Sequence, residues 1–124
     1  MAKSYKELAV WQKGIQLTVM VYQLSKSFPR EEASGLTGQL RRCAVSIPSN
    51  IAEGAGRLNT PEHKQFLGVA RGSAFELQTQ LQIAKELGYG DPKQLAQAEC
   101  PSEEVGRMIF ATITSLRKKS EDAK

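Results

Sequence analysis

The stretch that decides the fold is residues 35–57, GLTGQLRRCAVSIPSNIAEGAGR. Its apolar side chains recur at steps of four, three, four and four residues, which is the spacing of one face of an α-helix. These positions are Leu36, Leu40, Cys43, Ile47 and Ile51. Pro48 falls inside the pattern, and a proline in a helix interior costs about 3 kcal/mol unless a kink and substitute hydrogen bonds offset the loss. The stretch therefore predicts one long helix kinked at Pro48, with two separate helices as the lesser alternative.

A second face of this helix carries polar and charged side chains at helical spacing. These side chains are Arg42, Ser46, Asn50, Glu53 and Arg57. A solvated helix face usually mixes lysine and glutamate, whereas this one combines arginines with hydroxyl and amide groups. We therefore expect this face to contact a partner.

Two interpretations of the polar face remain open. In the first, four arginines bind phosphates, and Ser46 and Asn50 add hydrogen bonds. In the second, which we favour, the arginines pair with Glu53 and Glu76 inside the bundle or between subunits. The candidate residues for a polar network or a nucleic-acid contact are Arg41, Arg42, Ser46, Asn50, Glu53, Arg57, Arg71 and Glu76.

The first helix is predicted from about Leu8 to Ser27, because the residue before Pro29 disfavours the helical conformation. Its apolar residues fall into two adjacent sets. The first set is Val10, Gly14, Leu17, Val21, Leu24 and Phe28, and the second set is Trp11, Ile15, Thr18 and Tyr22. Together the sets form an apolar arc wider than one neighbouring helix requires. Either this helix lies deep within its own bundle, or another subunit covers part of it.

The remaining sequence predicts further helices. Thr60-Pro61 is a start signal for a helix from about Pro61 to Leu87, which Gly88 can end in a left-handed conformation. A short helix over about 92–98 should break or kink at Cys100-Pro101, before a helix resumes over about 102–118. The sequence thus predicts an all-α, antiparallel four-helix bundle with a proline-kinked second helix.

Length and composition fit a single domain over residues 1–124, with a flexible lead-in at 1–7 and a flexible tail at 120–124. Apolar residues make up 40% of the chain and charged residues 24%, as in a soluble globular protein. No apolar run reaches the roughly 18–20 residues of a membrane span, and the first residues lack a signal-peptide pattern. We therefore expect a cytoplasmic protein with no membrane partner.

The formal net charge of +4 permits contact with RNA or DNA without requiring it. The tight basic runs are Arg41-Arg42 and Arg117-Lys118-Lys119, and we interpret the second as a solvated helix end. Charge alone therefore does not assign a nucleic-acid function.

The sequence has no phosphate-binding loop, dinucleotide-binding glycine motif, nucleophile elbow or metal-binding histidine pair. Cys43 and His63 could form a thiol–imidazole pair, but Cys43 lies on the apolar face, so a buried thiol and a surface histidine are expected instead. We predict no enzymatic activity, no cofactor and no metal site.

Five segments together resemble a known protein family. They are YKELAVWQK at 5–13, FPREE at 28–32, GLTGQLRR at 35–42, SIPSNIAEG at 46–54 and ARGS at 70–73. In this order, over about residues 5–89, they resemble the small bacterial four-helix bundle proteins related to those encoded in 23S rRNA intervening sequences. Beyond Gly90 the resemblance is looser.

The resemblance implies a cytosolic, non-enzymatic protein that assembles into a ring of identical subunits, most simply a homopentamer. It carries over a shared constellation without assigning it a role: Arg41, Arg42, Ser46, Pro48, Asn50, Glu53, Gly54, Arg57, Arg71 and Glu76. The leading hypothesis is therefore a ring-forming bundle whose basic surface contacts RNA or DNA. The rival hypothesis is a purely structural oligomer or protein–protein adaptor.

Overall fold

The computed structural model describes residues 4–122, and within that range the chain forms four α-helices and no β-strand. The helices are α1 (Ala9–Ser25), α2 (Leu36–Ala55), α3 (Thr60–Leu87) and α4 (Pro92–Asp122). Two 3-10 turns, Tyr5–Glu7 and Arg30–Glu32, precede α1 and α2. The predicted all-α fold is confirmed. Residues 1–3 of the predicted lead-in and 123–124 of the predicted tail lie outside the described residues.

Each helix packs against the next one, and α4 also packs against α1, which closes the four-helix bundle. Within residues 4–122, no Cα atom of α1 lies within 8 Å of a Cα atom of α3, so these two helices lie diagonally across the bundle. Their outer faces therefore point in opposite directions.

Neighbouring helices run antiparallel, as predicted. Between α1 and α2, Gly14 lies against Pro48, whereas Thr18, one turn later, reaches Ala44, one turn earlier. The contacts between the other neighbouring helices also run in opposite chain directions. Between α2 and α3 the contacts are Ser46–Ser73 and Gly54–Phe66. Between α3 and α4 they are Arg71–Phe110 and Gln78–Ser102. The order of contacts thus fixes an up-down-up-down arrangement.

The predicted apolar stripes form the core. All six members of the first apolar set, from Val10 on α1 to Phe28 just after it, are buried. A stripe at helical spacing on α3 is buried as well, and its members are Leu67, Ala70, Ala74, Leu77, Leu81 and Ala84. Full burial of a leucine or isoleucine stabilises the fold by about 1.5–3 kcal/mol. The fully buried large side chains of α2 are Leu40, Ile47 and Ile51.

Helix α2 passes through Pro48 without interruption, so the alternative of two separate helices is wrong. Pro48 leaves the Ala44 carbonyl without its normal N–H partner. The Thr18 hydroxyl lies 3.1 Å from that carbonyl oxygen and 2.8 Å from the Gly14 carbonyl oxygen, so its single proton is shared between the two acceptors. The substitute hydrogen bond at Pro48 therefore comes from a neighbouring helix.

Helix α4 also continues through its proline. The prediction of a short helix over 92–98 and a second one from Ser102 is wrong, because α4 is a single helix from Pro92 to Asp122. Its buried stripe extends across Pro101 without a change of face, and a break would turn half of it away from the core. The members of this stripe are Leu95, Ala98, Ser102, Val105 and Ile109.

Side chains cap the starts of two helices. The backbone N–H of Leu36 donates to Glu32 Oε1 at 3.1 Å, so Glu32 satisfies the start of α2. Asn59 Oδ1 accepts from the N–H of Glu62 at 2.9 Å, which makes Asn59 rather than Thr60 the N-cap of α3. Gly88 ends α3 in the left-handed conformation, with φ of 74°, as predicted.

Candidate functional site

The centre of the predicted polar network lies between α2 and α3. Ser46 Oγ and Ser73 Oγ are 2.9 Å apart, and the side-chain amide of Asn50 donates to Ser46 Oγ at 2.9 Å and to the Ser46 carbonyl oxygen at 2.8 Å. A half-buried chain of hydroxyl and amide groups therefore joins the two helices. Such bonds fix the relative position of the helices, and each contributes about 0.5–1.5 kcal/mol.

Cys43 extends the network by one turn of α2. Its Sγ donates to the Ser73 carbonyl oxygen at 3.0 Å and lies 3.6 Å from Glu76 Oε2. Burial, and then the negative charge and hydrogen bond of Glu76, raise the pKa of Cys43 to about 12. The group is therefore a neutral thiol at physiological pH, which is poorly suited to nucleophilic catalysis.

The Cys43–His63 pair does not form. His63 lies against Gly54, about three turns along α2 from Cys43, and burial lowers the pKa of its imidazole. The buried thiol follows the prediction for Cys43, whereas His63 is half-buried rather than on the surface.

A polar groove with a volume of about 420 Å³ runs over the network between α2 and α3. Its lining residues are Gln39, Arg42, Cys43, Ser46, Ser73, Glu76 and Gln80. In the described part of the chain, Arg42 forms no hydrogen bond or ion pair, and Gln80 Oε1 is buried without a partner. The groove thus combines an unengaged guanidinium group with carboxylate, hydroxyl and amide groups.

Arg41 points away from this groove toward α1. Its Nε donates to Ser25 Oγ at 2.8 Å, and its guanidinium carbon lies 4.7 Å from the centre of the Tyr22 ring. Ser25 is the last residue of α1, where a positive charge is favourable beside the negative end of the helix dipole. Arg41 therefore joins α2 to α1 within one chain.

Arg57 and Glu53 pair with each other. Arg57 Nη2 lies 2.9 Å from Glu53 Oε2, and the guanidinium group stacks 4.4 Å from the centre of the Phe66 ring. Both charged side chains are exposed, so the ion pair contributes at most about 1 kcal/mol.

Arg71 faces α4 rather than the polar groove. Its guanidinium carbon lies 4.9 Å from the Phe75 ring centre and 4.7 Å from the Phe110 ring centre. Its Nε is buried without a hydrogen-bond partner among residues 4–122. Arg71 and Glu76, which the structural interpretation would pair, occupy different faces of α3.

The structure thus brings together Arg42, Ser46, Asn50 and Glu76, and places the other candidates elsewhere. Sequence reasoning missed Ser73 and Gln80 on α3. Both are polar residues within an otherwise apolar helical stripe, and they are seven residues apart, which indicates one polar line beside the core.

A second groove, of about 360 Å³, lies on the outer side of α1 and α2 and is largely apolar. Its lining residues are Tyr5, Trp11, Ile15, Thr18, Val45, Pro48, Ser49 and Ala52. Ile15 and Tyr22, from the second apolar set of α1, are 39% and 40% exposed, and Val19 between them is 51% exposed. Helix α1 is therefore not placed deep within its own bundle.

Residues 4–122 contain neither a membrane-spanning helix nor a metal-binding cluster. None of the described helices is both long and apolar enough to cross a membrane. In the same range, no cluster of three or more histidine, cysteine, aspartate or glutamate residues has a geometry that could hold a metal ion.

Comparison with known proteins adds two findings. Residues 6–111 match the family described as 23S rRNA-intervening sequence protein. The fold is similar to the solved structure of a protein of unknown function from the S23 ribosomal protein family of Bacteroides thetaiotaomicron VPI-5482. That structure is 22% identical, covers 85% of this chain and 98% of its own, and superposes with a TM-score of 0.76. No curated protein matches the sequence.

Proposed function

We propose that this chain, which belongs to the 23S rRNA-intervening sequence protein family, is a non-enzymatic cytoplasmic scaffold that assembles into a homo-oligomeric ring, most simply a pentamer. The observation that carries this proposal is the second apolar set of α1. Its exposed members adjoin an apolar groove, and contiguous apolar surface of this kind marks protein–protein contact sites.

The polar groove supports a structural role better than a catalytic one. Its thiol is protonated at neutral pH because burial raises the pKa of Cys43 to about 12. Its serine hydroxyls bond to each other and to Asn50, and no histidine lines the groove to act as their base. We therefore assign these groups to holding α2 and α3 in register.

Light scattering on the purified chain tests the assembly. A ring of five 13.6 kDa chains has a mass of about 68 kDa. A concentration-independent mass near that value supports the proposal. A single-chain mass at high micromolar concentration contradicts it, whereas a two-chain mass rejects the ring but leaves the protein an oligomer.

A second candidate function is binding of RNA or DNA at one end of the bundle. The antiparallel arrangement brings the start of α3 and the end of α4 together, so the basic run of α4 lies near Lys64. At the start of α3 and the end of α4, the basic residues Lys64, Arg117, Lys118 and Lys119 outnumber the acidic residues Glu62, Glu121 and Asp122. Cyclic symmetry would place every copy of this basic end at the same level of a ring, which favours multivalent contact with phosphates.

Filter binding of single-stranded RNA over a salt series tests this second function. We expect affinity to fall steeply with salt, and the triple variant Arg117→Glu, Lys118→Glu, Lys119→Glu to lower the log–log slope by about 2. The matched control reverses three charges at the opposite end, in Lys26→Glu, Arg30→Glu, Lys93→Glu. Absence of binding near physiological salt, or equal loss in both variants, would favour the purely structural oligomer or adaptor.

A further inference from the structure

We infer that the ring closes head-to-tail: the outer face of α3 in one copy packs into the α1/α2 apolar groove of the next copy. The inference rests on the proposed ring assembly and specifies which two surfaces meet. It commits the groove to one occupant, a second copy of this chain.

The groove side of the contact is bulky and apolar. On α1, Leu8, Ile15 and Tyr22 repeat every seven residues and are all exposed, with Val19 between them. Trp11 lines the groove and makes an edge-to-face contact with Tyr5, with ring centres 5.4 Å apart. A seven-residue repeat is the pattern of a helix that packs along another helix, and the packing among residues 4–122 leaves these four side chains 39–51% exposed.

The α3 side of the proposed contact carries two glycines, in contrast to the bulky side chains of the groove side. Gly68 and Gly72 are exposed, and a Cβ added at either position would meet no atom within 4 Å. Each glycine disfavours a helix about fivefold relative to alanine. No contact among residues 4–122 explains these two glycines, in contrast to Gly54, where an added Cβ would lie 3.0 Å from Phe66 Cβ.

Two large apolar side chains are exposed beside these glycines, next to the polar Gln65 and Glu76. Val69 is 50% exposed and Phe75 is 47% exposed, and Gly68, Gly72, Phe75 and Thr79 follow one another at steps of four, three and four residues. This step pattern forms a seam along α3 that matches the seam of α1 in period. Bulky side chains of α1 would fit above the glycines, which allows close helix packing.

The placement of the two surfaces determines the symmetry. Since α1 and α3 lie diagonally across the bundle, a single copy presents the groove on one side and the glycine seam on the other. A two-fold contact of groove with groove would leave the glycine seam uncovered. A contact between unlike surfaces is heterologous, and such contacts generate closed rings when the rotation between copies allows closure.

A mixing experiment tests the assignment. Ile15→Arg blocks the groove, and Gly72→Arg blocks the seam; both positions are exposed, so each chain should remain folded by circular dichroism. We expect each variant alone to run as a single chain, and an equimolar mixture to form two-chain particles, because one intact groove and one intact seam remain. The control Gln97→Arg, at an exposed site on α4 outside both surfaces, should keep the wild-type mass.

The outcomes separate this inference from the proposed function. If the Ile15→Arg variant is a single chain but the Gly72→Arg variant keeps the wild-type mass, the proposed ring is retained and the assignment of α3 to the contact is overturned. A mixture that stays single-chain also overturns it, and a single-chain wild type removes the ring and the inference together. Gly72→Ala provides a milder variant, because the added Cβ would meet no described atom of the same chain within 4 Å. We expect at least tenfold weaker assembly, and unchanged or tighter assembly would contradict close packing at Gly72.

Discussion

The Thr18 hydroxyl lies 3.1 Å from the Ala44 carbonyl oxygen, the acceptor that Pro48 leaves without its helical N–H donor. A side chain of α1 thus completes the hydrogen bonding of α2 at its proline. Pro48 itself is buried, and Gly14, one turn before Thr18, lies directly against its ring: an added Cβ there would be in van der Waals contact with Pro48 Cβ at 3.4 Å. The cost of the interior proline is therefore offset by the helix that packs beside it.

Thr18→Val should remove this donor while keeping the shape of the side chain. We expect a loss of about 1–3 kcal/mol in the free energy of unfolding, because the half-buried Ala44 carbonyl is left unpaired. Urea unfolding at fixed chain concentration measures the change. The control is Thr112→Val, whose hydroxyl donates within α4, to the Met108 carbonyl oxygen, and a similar loss there would contradict the role of Thr18.

Two glycine substitutions should change stability in opposite directions. An added Cβ at Gly54 meets His63 Cδ2 and Phe66 Cβ at 3.0 Å, so Gly54→Ala should destabilise the chain by about 1–3 kcal/mol. Gly68→Ala adds its methyl group in open space and should stabilise the separated chain by about 0.5–1 kcal/mol. Both are measured by thermal unfolding in the Ile15→Arg background, so that assembly does not contribute. Equal signs would show that the packing around Gly54 is looser than the distances indicate.

The apolar periodicity predicted the helices well because the core stripes of α1 and α3 follow the helical repeat without exception. It failed at Pro101, where local preference favoured a break, because the buried stripe continues from Ala98 to Val105 on one face. Packing of a continuous stripe outweighs the roughly 3 kcal/mol cost of one interior proline. Such a balance depends on neighbouring helices, which the local sequence does not show.

The polar network was predicted less well, because the angle between side chains around the helix axis was not taken into account. Residues five apart on a helix differ by about 140°, so Arg71 faces α4 while Glu76 faces α2. Adjacent residues differ by about 100°, which sends Arg41 to α1 and leaves Arg42 in the polar groove. Helical angles alone separate these pairs, but only the structure shows which neighbour each face meets.

Arg41 and Arg42 should therefore respond differently to removal. Arg41→Ala should lower the free energy of unfolding by about 1–2 kcal/mol, because it breaks the bond to Ser25 and the contact with Tyr22 at the end of α1. Arg42→Ala should change it by less than about 0.5 kcal/mol, since no described residue pairs with Arg42. Urea unfolding combined with light scattering distinguishes the two arginines. A drop in mass for Arg42→Ala would favour an intersubunit network, and a loss of RNA binding at constant mass would favour a phosphate contact.

Cys43 should show both slow thiol chemistry and a stability loss at high pH. Its pKa is raised from 9.0 to about 12, first by burial and then by Glu76, so the folded state retains the proton that the unfolded state releases above pH 9. Stability from this group is therefore full below pH 9 and falls as the pH rises from about 9 to 12. At pH 8 a disulfide reagent should label the exposed Cys100 quickly and Cys43 only after unfolding. Glu76→Gln should speed labelling of Cys43 and reduce the alkaline loss of stability, and an unchanged rate would mean that burial alone protects the thiol.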